Sequence, residues 1–182
     1  MIGGTALGVV RSAIADGKEI KVLACETRPL NQGSRITTWE LMQDKIPVTL
    51  IADSMAGWAM RQGGLVNSVL VGGADRITQD VVFNKIGTYT HSILAREHEI
   101  PPFYVAAPVS TFDFEGWEGS IKIEMRNPDE LRFAGCQQLA PPEDVPVYNP
   151  AFDATPPMEN VTALITERGV FYPPILLDEV LV

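Results

Sequence analysis

Short, almost uninterrupted apolar runs alternate with helix-like stretches through the first two thirds of the chain. Strands of this kind are typical of a parallel sheet that helices cover on both faces. The predicted strands are Ile20–Cys25, Pro47–Ala52, Ser68–Val71 and Pro102–Ala107, and the predicted helices are Thr5–Ala15, Ile36–Gln43, Ser54–Gln62 and Phe83–His98. The alternation predicts an α/β fold, with a doubly wound, mostly parallel sheet and right-handed crossovers.

The last third of the chain follows a different pattern. Between Pro141 and Pro174 the sequence has Pro-rich turns, with Leu164–Thr166 and Gly169–Phe171 as strand-like pieces. We interpret this region as a loop-rich closure over the sheet that carries one more short strand. The polar and aromatic segment Phe112–Pro128 is interpreted as a flap or a small hairpin. The length of 182 residues fits one domain, expected over residues 1–182.

Charge and composition exclude several classes of function. Twenty-three acidic residues against fourteen basic ones give a net charge of −9, and such a field repels nucleic acid. No apolar run approaches the roughly 20 residues that span a bilayer, so no membrane insertion is expected. The start Met1–Val10 has no basic residues before its apolar run, so no secretory signal is expected. Cys25 and Cys136 are interpreted as reduced thiols of a cytoplasmic protein, without a disulfide or a metal site.

Ligands of open α/β sheets bind outside the carboxyl ends of the strands, so the residues after each predicted strand are the first candidates. Glu26–Arg35 follows the first strand and holds two arginines, an amide, a glycine and a serine. This segment suits an anion such as phosphate, or it is a capped loop with two surface arginines. Asp53 and Ser54 follow the second strand, where they form a plausible helix N-cap pair.

Two further candidate positions follow the third strand. Asp75 comes after a pair of glycines, where it could act as a general acid or base, cap a helix or pair with Arg76. Asn84 and Lys85 are predicted to open the long helix and to face the strand ends, where Lys85 holds a phosphate or hydroxyl group or is simply solvated. The chain has no GxxxxGKS or GxxxxGKT motif, and no GxGxxG lies between a strand and a helix.

These absences favour a cofactor-free small-molecule site lined by Gln32, Asp75, Asn84 and Lys85. The two histidines, His91 and His98, lie seven residues apart on the long predicted helix and are interpreted as packing or surface residues. Cys25 ends the first strand, and burial as a reduced thiol is favoured over a nucleophilic role.

The candidate residues lie within longer runs that resemble a known family, the methylthioribose-1-phosphate isomerases. The runs that carry the resemblance are ACETRPLNQGSR (24–35), PVTLIADSM (47–55), GGADRI (72–77), NKIGTY (84–89), FYVAAPVSTFD (103–113), VYNPAFDATPP (147–157) and ITERGV (165–170). They cover nearly the whole chain in order. That family shares its Rossmann-like fold with ribose-1,5-bisphosphate isomerases and with the regulatory subunits of translation initiation factor 2B.

The resemblance implies a reaction and a set of roles. It implies an intramolecular oxidoreductase that converts the aldose 5-methylthioribose 1-phosphate into the ketose 5-methylthioribulose 1-phosphate in methionine salvage, with no cofactor. Asp75 matches the family's acid/base aspartate, a proton donor. Gln32 matches the substrate-binding glutamine, and Asn84 and Lys85 match the pair that contacts the sugar phosphate. Because family members are homodimers, self-association is expected as well.

The resemblance is confined to the carboxy-terminal domain of the family. The family's enzymes also have an N-terminal helical domain and a reactive cysteine, which neither Cys25 nor Cys136 matches. The resemblance therefore implies a truncated or split form of the isomerase, with little or no activity in this chain alone. A separate N-terminal half would complete the site by docking on an apolar face that ends at Met1–Gly3 and Thr5–Ala15. The alternatives are a non-catalytic regulatory or binding subunit like those of initiation factor 2B, and a related ribose-phosphate isomerase.

Overall fold

Six helices and eleven strands make up the part of the chain that the structure describes. The computed structural model describes residues 4–100, 102–116, 119, 121–140, 145–176 and 179–180. The helices are α1 Thr5–Ala15, α2 Thr38–Gln43, α3 Ala56–Arg61, α4 Thr88–Glu97, α5 Asp129–Arg132 and α6 Pro157–Asn160. The strands are β1 Val22–Cys25, β2 Val48–Ile51, β3 Val69–Gly72, β4 Arg76–Ile77, β5 Val82–Lys85, β6 Phe103–Ala106, β7 Phe133–Ala134, β8 Gln137–Gln138, β9 Phe152–Thr155, β10 Ala163–Thr166 and β11 Gly169–Phe171.

Parallel pairing dominates the larger strands, as the sequence predicts. Strands β1 and β2 pair in parallel, and β3, β6 and β10 form a second parallel group that the antiparallel strand β11 closes at one edge. The strand order of this second group is β11-β10-β6-β3. Hydrogen bonding therefore divides the predicted sheet into two parallel groups, so the single doubly wound sheet is only partly confirmed.

Side chains that alternate along β3 show that helices cover both faces. Val69 and Val71 pack against the core cluster that contains residues of α3 and α4, whereas Leu70 packs against the cluster of α1 and α2. Because successive side chains of a strand point to opposite faces, α1 and α2 cover one face and α3 and α4 cover the other. The predicted α/β class with helices on both faces is therefore confirmed.

The predicted helix Phe83–His98 is wrong in its first part. Val82–Lys85 is strand β5, which pairs antiparallel with both β4 and β9, and helix α4 begins only at Thr88. Val82 and Phe83 are almost fully buried, as an interior strand requires. Gly87, with φ of 103°, separates the strand from the helix, since a left-handed residue interrupts both structures.

The interpretation of the last third as a closure is also corrected. Strand β10 lies between β6 and β11 inside the parallel group, and β9 joins β4 and β5 in an antiparallel sheet. Part of the predicted flap Phe112–Pro128 lies outside the described residues. In its described part, Phe112 bridges to Ile77 and Met125 bridges to Pro150, so these residues do not pair as a hairpin. The hairpin of this region is β7–β8, a few residues further along.

Candidate active site

Strand pairing brings Asp75 next to Asn84 and Lys85. The backbone N–H of Asp75 donates to the carbonyl oxygen of Phe83 at 2.9 Å, and Arg76 is the register partner of Phe83. Asp75 and Arg76 therefore both lie opposite Phe83, which is the geometry of a β-bulge, and the backbone of Asp75 lies beside the residue that precedes Asn84. The backbone of Asp75, at the start of β4, therefore lies close to Asn84 and Lys85, at the end of β5.

Two alternative roles of Asp75 do not fit its surroundings. Arg76 pairs with the carboxylate of Asp113 at 2.9 Å, so Asp75 is not needed as its counterion. The residue precedes strand β4 rather than a helix, so it does not cap a helix. Asp75 is exposed, and its side chain is accessible to a ligand at this edge. The structure leaves the acid/base role as the prediction to test.

Lys85 lies in a mixed electrostatic environment. Burial lowers the pKa of its amine, and the nearby Arg126 guanidinium lowers it further. The carboxylates of Glu130, Asp53 and Asp153 act in the opposite direction and favour the charged amine. Lys85 is thus a partly desolvated cation that faces groups from several elements, and not the solvated helix charge considered from the sequence.

Asn84 and Lys85 end a strand instead of opening a helix. Asn84 is 2% exposed, and its Oδ1 accepts a hydrogen bond from the Lys85 N–H at 2.8 Å. Asp153 of β9 is the register partner of Asn84, and its carboxylate accepts from the N–H groups of Gly87 at 2.7 Å and Tyr89 at 3.1 Å. Burial raises the pKa of Asp153, while the two N–H donors act against that rise. Asp153 therefore fixes the start of α4 directly behind the site.

The role of Asp153 was missed by sequence reasoning. The run Phe152–Thr155 is a short apolar and β-branched segment with Pro150 and Pro156 close to either end, which is a strand signal.

The Arg126–Glu130 ion pair was also missed by sequence reasoning. The Arg126 guanidinium binds the Glu130 carboxylate, with the closest N–O distance 2.6 Å, and this pairing lowers the pKa of Glu130. No local pattern predicts that this ion pair faces Lys85.

Gln32 lies at the end of the loop that follows β1. Among the side chains that the structure describes, its Oε1 is one of a few buried oxygens without a hydrogen-bond partner in the chain, and Asn31 Oδ1 is another. A buried amide oxygen without a donor is costly, by about 1–3 kcal/mol. Such an oxygen suits a ligand hydroxyl group, in line with the predicted role of Gln32.

The two arginines of this loop do not form the predicted anion fork. The Arg28 guanidinium donates to four backbone carbonyl oxygens, those of Pro29, Glu130, Leu131 and Phe133. All of these bonds lie between 2.9 and 3.4 Å, so Arg28 clamps the loop onto α5. Arg35 is exposed on the turn Gly33–Thr37. Arg28 is therefore a half-buried structural residue and not the surface arginine of the alternative prediction, and its guanidinium is engaged by the chain itself.

Asp53 does not act as the predicted N-cap. Neither the 3₁₀ turn Asp53–Met55 nor helix α3 has a side-chain cap hydrogen bond. Instead, Asp53 Oδ1 accepts from the Thr27 N–H at 2.9 Å, and Oδ2 accepts from the Arg28 N–H at 2.7 Å. The carboxylate at the end of β2 thus holds the loop at the end of β1.

Cys25 and His91 meet in space although they are far apart in sequence. Cys25 Sγ lies 4.0 Å from His91 Nε2. Burial raises the pKa of the Cys25 thiol to about 11, and Asp53 and Glu26 add to the rise. Burial also lowers the pKa of His91, although Asp53 opposes this shift. Both groups are therefore neutral near pH 7, so Cys25 is a half-buried, protonated thiol and not an activated nucleophile.

The structure connects the four predicted residues in two steps. The backbone of Asp75 bonds to β5 just before Asn84 and Lys85. The Asp53 carboxylate acts electrostatically on the Lys85 amine and binds the loop that leads to Gln32. In the described ranges, no group of three His, Cys, Asp or Glu side chains is placed to hold a metal ion. No helix of the described chain is long and apolar enough to cross a membrane.

The fold defines the class: an α/β protein that gathers polar and charged side chains beside the ends of its strands. The chain belongs to the initiation factor 2 subunit family, whose model matches residues 2–173. The family resemblance found in the sequence is thereby confirmed.

Among curated relatives, a Methanosarcina acetivorans protein named "Putative methylthioribose-1-phosphate isomerase" is 88% identical over 98% of this chain and 50% of its own length. The methylthioribose-1-phosphate isomerase of Heliobacterium modesticaldum is 62% identical over 95% of this chain and 49% of its own. The crystal structure of 5-methylthioribose 1-phosphate isomerase from Pyrococcus horikoshii matches with a TM-score of 0.90 at 45% identity, over 98% of this chain and 49% of that one. The chain thus spans about half the length of the curated relatives it matches.

Proposed function

We propose that this chain carries the Asp75 half of an aldose–ketose isomerase active site that acts on 5-methylthioribose 1-phosphate. The observation that carries the proposal is the position of Asp75, an exposed aspartate whose backbone N–H is bonded to β5 at Phe83, directly before the buried Asn84 and the partly buried Lys85. The relatives named for this isomerase, at up to 88% identity, support the choice of substrate. The product is the corresponding ketose 1-phosphate, formed in methionine salvage.

The chemistry of the substrate explains why such residues are needed. A phosphate on C1 prevents simple opening of the sugar ring to an aldehyde, so the ring must be opened with help before hydrogen moves between C1 and C2. Asp75 acts as the proton donor in this reaction. Lys85 and Asn84 hold the sugar phosphate, and Gln32 accepts a hydrogen bond from the substrate through its unpartnered Oε1.

We further propose that a separate N-terminal half completes the site and that the chain forms homodimers in the cytoplasm. Exposed large apolar side chains support docking: Ile36, Trp39, Met42, Leu50, Met55 and Trp58 lie on the turn before α2, on α2, on β2 and around α3. Helix α1, predicted to end this face, instead buries Leu7 and Val10, and Met1–Gly3 lie outside the described residues. The cytoplasmic location is supported by the free thiols of Cys25 and Cys136.

The test is isomerisation of 5-methylthioribose 1-phosphate by the chain alone and by the chain mixed with a fragment that carries the N-terminal half. In whichever form is active, Asp75→Asn should lower turnover by a factor of about 10² or more, since general acid catalysis contributes this much. Asp80→Asn is the matched control, because Asp80 is an exposed aspartate on the β4–β5 turn. Full turnover in Asp75→Asn would remove the residue from the mechanism.

A second candidate is a non-catalytic subunit that binds a sugar phosphate. The observation behind it is an Archaeoglobus fulgidus crystal structure named for translation initiation factor eIF-2B, subunit delta, with 65% identity and a TM-score of 0.88. An Archaeoglobus fulgidus relative that is 66% identical is, however, named "Putative methylthioribose-1-phosphate isomerase". Calorimetric binding of the sugar phosphate without turnover, in a mixture shown to associate, would select this candidate. A related ribose-phosphate isomerase would instead turn over ribose 1,5-bisphosphate faster than the methylthio sugar.

A further inference from the structure

Asp53 has an unusual position for an aspartate at the start of a helical turn. Its two carboxylate oxygens accept N–H groups of two successive residues in a different segment, Thr27 at 2.9 Å and Arg28 at 2.7 Å. Hydrogen bonds to a charged acceptor are about twice as strong as neutral ones. Asp53 therefore ties the end of β2 to the first residues of the loop after β1.

The loop that Asp53 holds has a strained backbone. Thr27 has φ of 64°, a left-handed conformation that is rare for a β-branched residue. Such a conformation persists when surrounding contacts enforce it. The two N–H bonds to Asp53 and the bond from Thr27 Oγ1 to the Cys25 carbonyl oxygen at 3.2 Å are contacts of this kind. The same loop ends at Gln32, so its conformation sets where that amide lies.

Asp53 also acts electrostatically on Lys85. Its negative charge favours the charged form of Lys85, with Glu130 and Asp153 acting in the same direction and Arg126 acting against it. One carboxylate thus contacts the Gln32 loop and electrostatically supports the Lys85 amine.

We infer that Asp53 is a positioning residue of the sugar-phosphate site: through its bonds to the N–H groups of Thr27 and Arg28 it holds the Thr27–Gln32 loop, so that Gln32 is placed to bind the substrate that Lys85 also binds. The inference rests on the proposed function. Asp53 itself does not touch the reacting atoms, and it acts through Gln32 and Lys85. Its contribution therefore falls on substrate binding and not on the proton transfer assigned to Asp75.

The test compares Asp53→Asn with Asp53→Glu in the form of the protein that turns over 5-methylthioribose 1-phosphate. Asp53→Asn keeps the shape of the side chain but removes its charge and one acceptor oxygen. We expect KM to rise about tenfold or more, while kcat changes less than threefold. Asp53→Glu restores the charge but not the geometry, so KM should stay raised. Asp44→Asn is the control with the same charge change, because Asp44 pairs with Arg11 away from the site.

A second readout does not depend on turnover. The titration of the Lys85 amine, followed by NMR and assigned through Lys85→Gln, should move to lower pH in Asp53→Asn and return towards the wild-type value in Asp53→Glu. Hydrogen exchange at the amides of Thr27 and Arg28 should become faster in both variants. If the wild type neither binds nor converts the sugar phosphate, the proposed function fails, while these two measurements still decide the role of Asp53. An unchanged Lys85 titration and unchanged loop exchange in Asp53→Asn would overturn the inference, as would a loss confined to kcat.

Discussion

Replacing Gly33 with alanine tests whether the turn before α2 must pack directly on the end of β1. A Cβ at Gly33 would lie far inside the van der Waals distance of the Cys25 carbonyl oxygen, 2.6 Å from Thr27 Oγ1 and 3.0 Å from the Cys25 carbonyl carbon. Two of these three atoms are backbone, which cannot rotate away as a side chain can. Because overpacking of this kind costs about 1–3 kcal/mol, we expect the free energy of unfolding to fall by about 2–3 kcal/mol.

Two other glycines provide matched controls in the same urea-denaturation assay. Gly8 lies inside α1 with no heavy atom within 4 Å of a built Cβ, so Gly8→Ala should stabilise the chain by up to about 1 kcal/mol through helix propensity. At Gly57 the nearest atom is the flexible Leu94 Cδ1 at 3.3 Å, so Gly57→Ala should change stability much less than Gly33→Ala. A Gly33→Ala variant that unfolds at the same urea concentration as the wild type, while Gly8→Ala gains stability, would refute the packing argument.

The remaining predictions concern the thiols and the apolar surface. Because the pKa of Cys25 is about 11, iodoacetamide at pH 7.5 should label the exposed Cys136 well before Cys25. Mass spectrometry would follow the two labelling reactions. Equal labelling rates at the two cysteines would contradict the partial burial of the Cys25 thiol. The raised pKa of Cys25 stabilises the folded chain below pH 9.0, and this contribution should be lost as the pH rises towards 11. Over that range the free energy of unfolding should therefore fall more steeply in the wild type than in Cys25→Ser. Trp39 is 60% exposed on the apolar face proposed to dock the N-terminal half, so Trp39→Ser should weaken binding of a fragment that carries that half, as calorimetry would show. An unchanged affinity would remove α2 from this docking face.

The parallel strands could be predicted from sequence because their signal is local. Strands β1, β2, β3 and β6 are continuous apolar runs, and each lies within its predicted range or extends past it by one residue. Helix α1 has the predicted bounds for the same reason. Strand β5 was missed because its run Val82–Lys85 leads through a glycine into a real helix, and its partner β9 lies far along the chain. A pairing of this kind has no local signature, so periodicity alone extends the helix backwards.

In the candidate site, too, residues with a local sequence signal could be predicted, and residues whose role depends on tertiary contacts could not. Asp75 and Lys85 could be selected from their place beside strand ends, although Lys85 was assigned to the wrong element. The acids that surround the site could not be selected in this way. Asp53 precedes a helical turn and looks like an N-cap, and Asp153 lies in an unpredicted strand. Their function comes from the N–H groups they face, and these belong to segments that only the tertiary fold brings near.

The charge balance around Lys85 supports the proposal that a second half completes the site. The groups that act on the Lys85 amine are one cation, Arg126, and three carboxylates, those of Glu130, Asp53 and Asp153. Arg126 is bound to Glu130, and Arg28 uses its guanidinium on backbone carbonyl oxygens. A phosphate dianion brought to this surface would meet more negative than positive charge, which opposes tight binding by this half alone. Cations supplied from a second half would reverse that balance, so affinity for the sugar phosphate should depend on both pieces even though the proton donor belongs to this one.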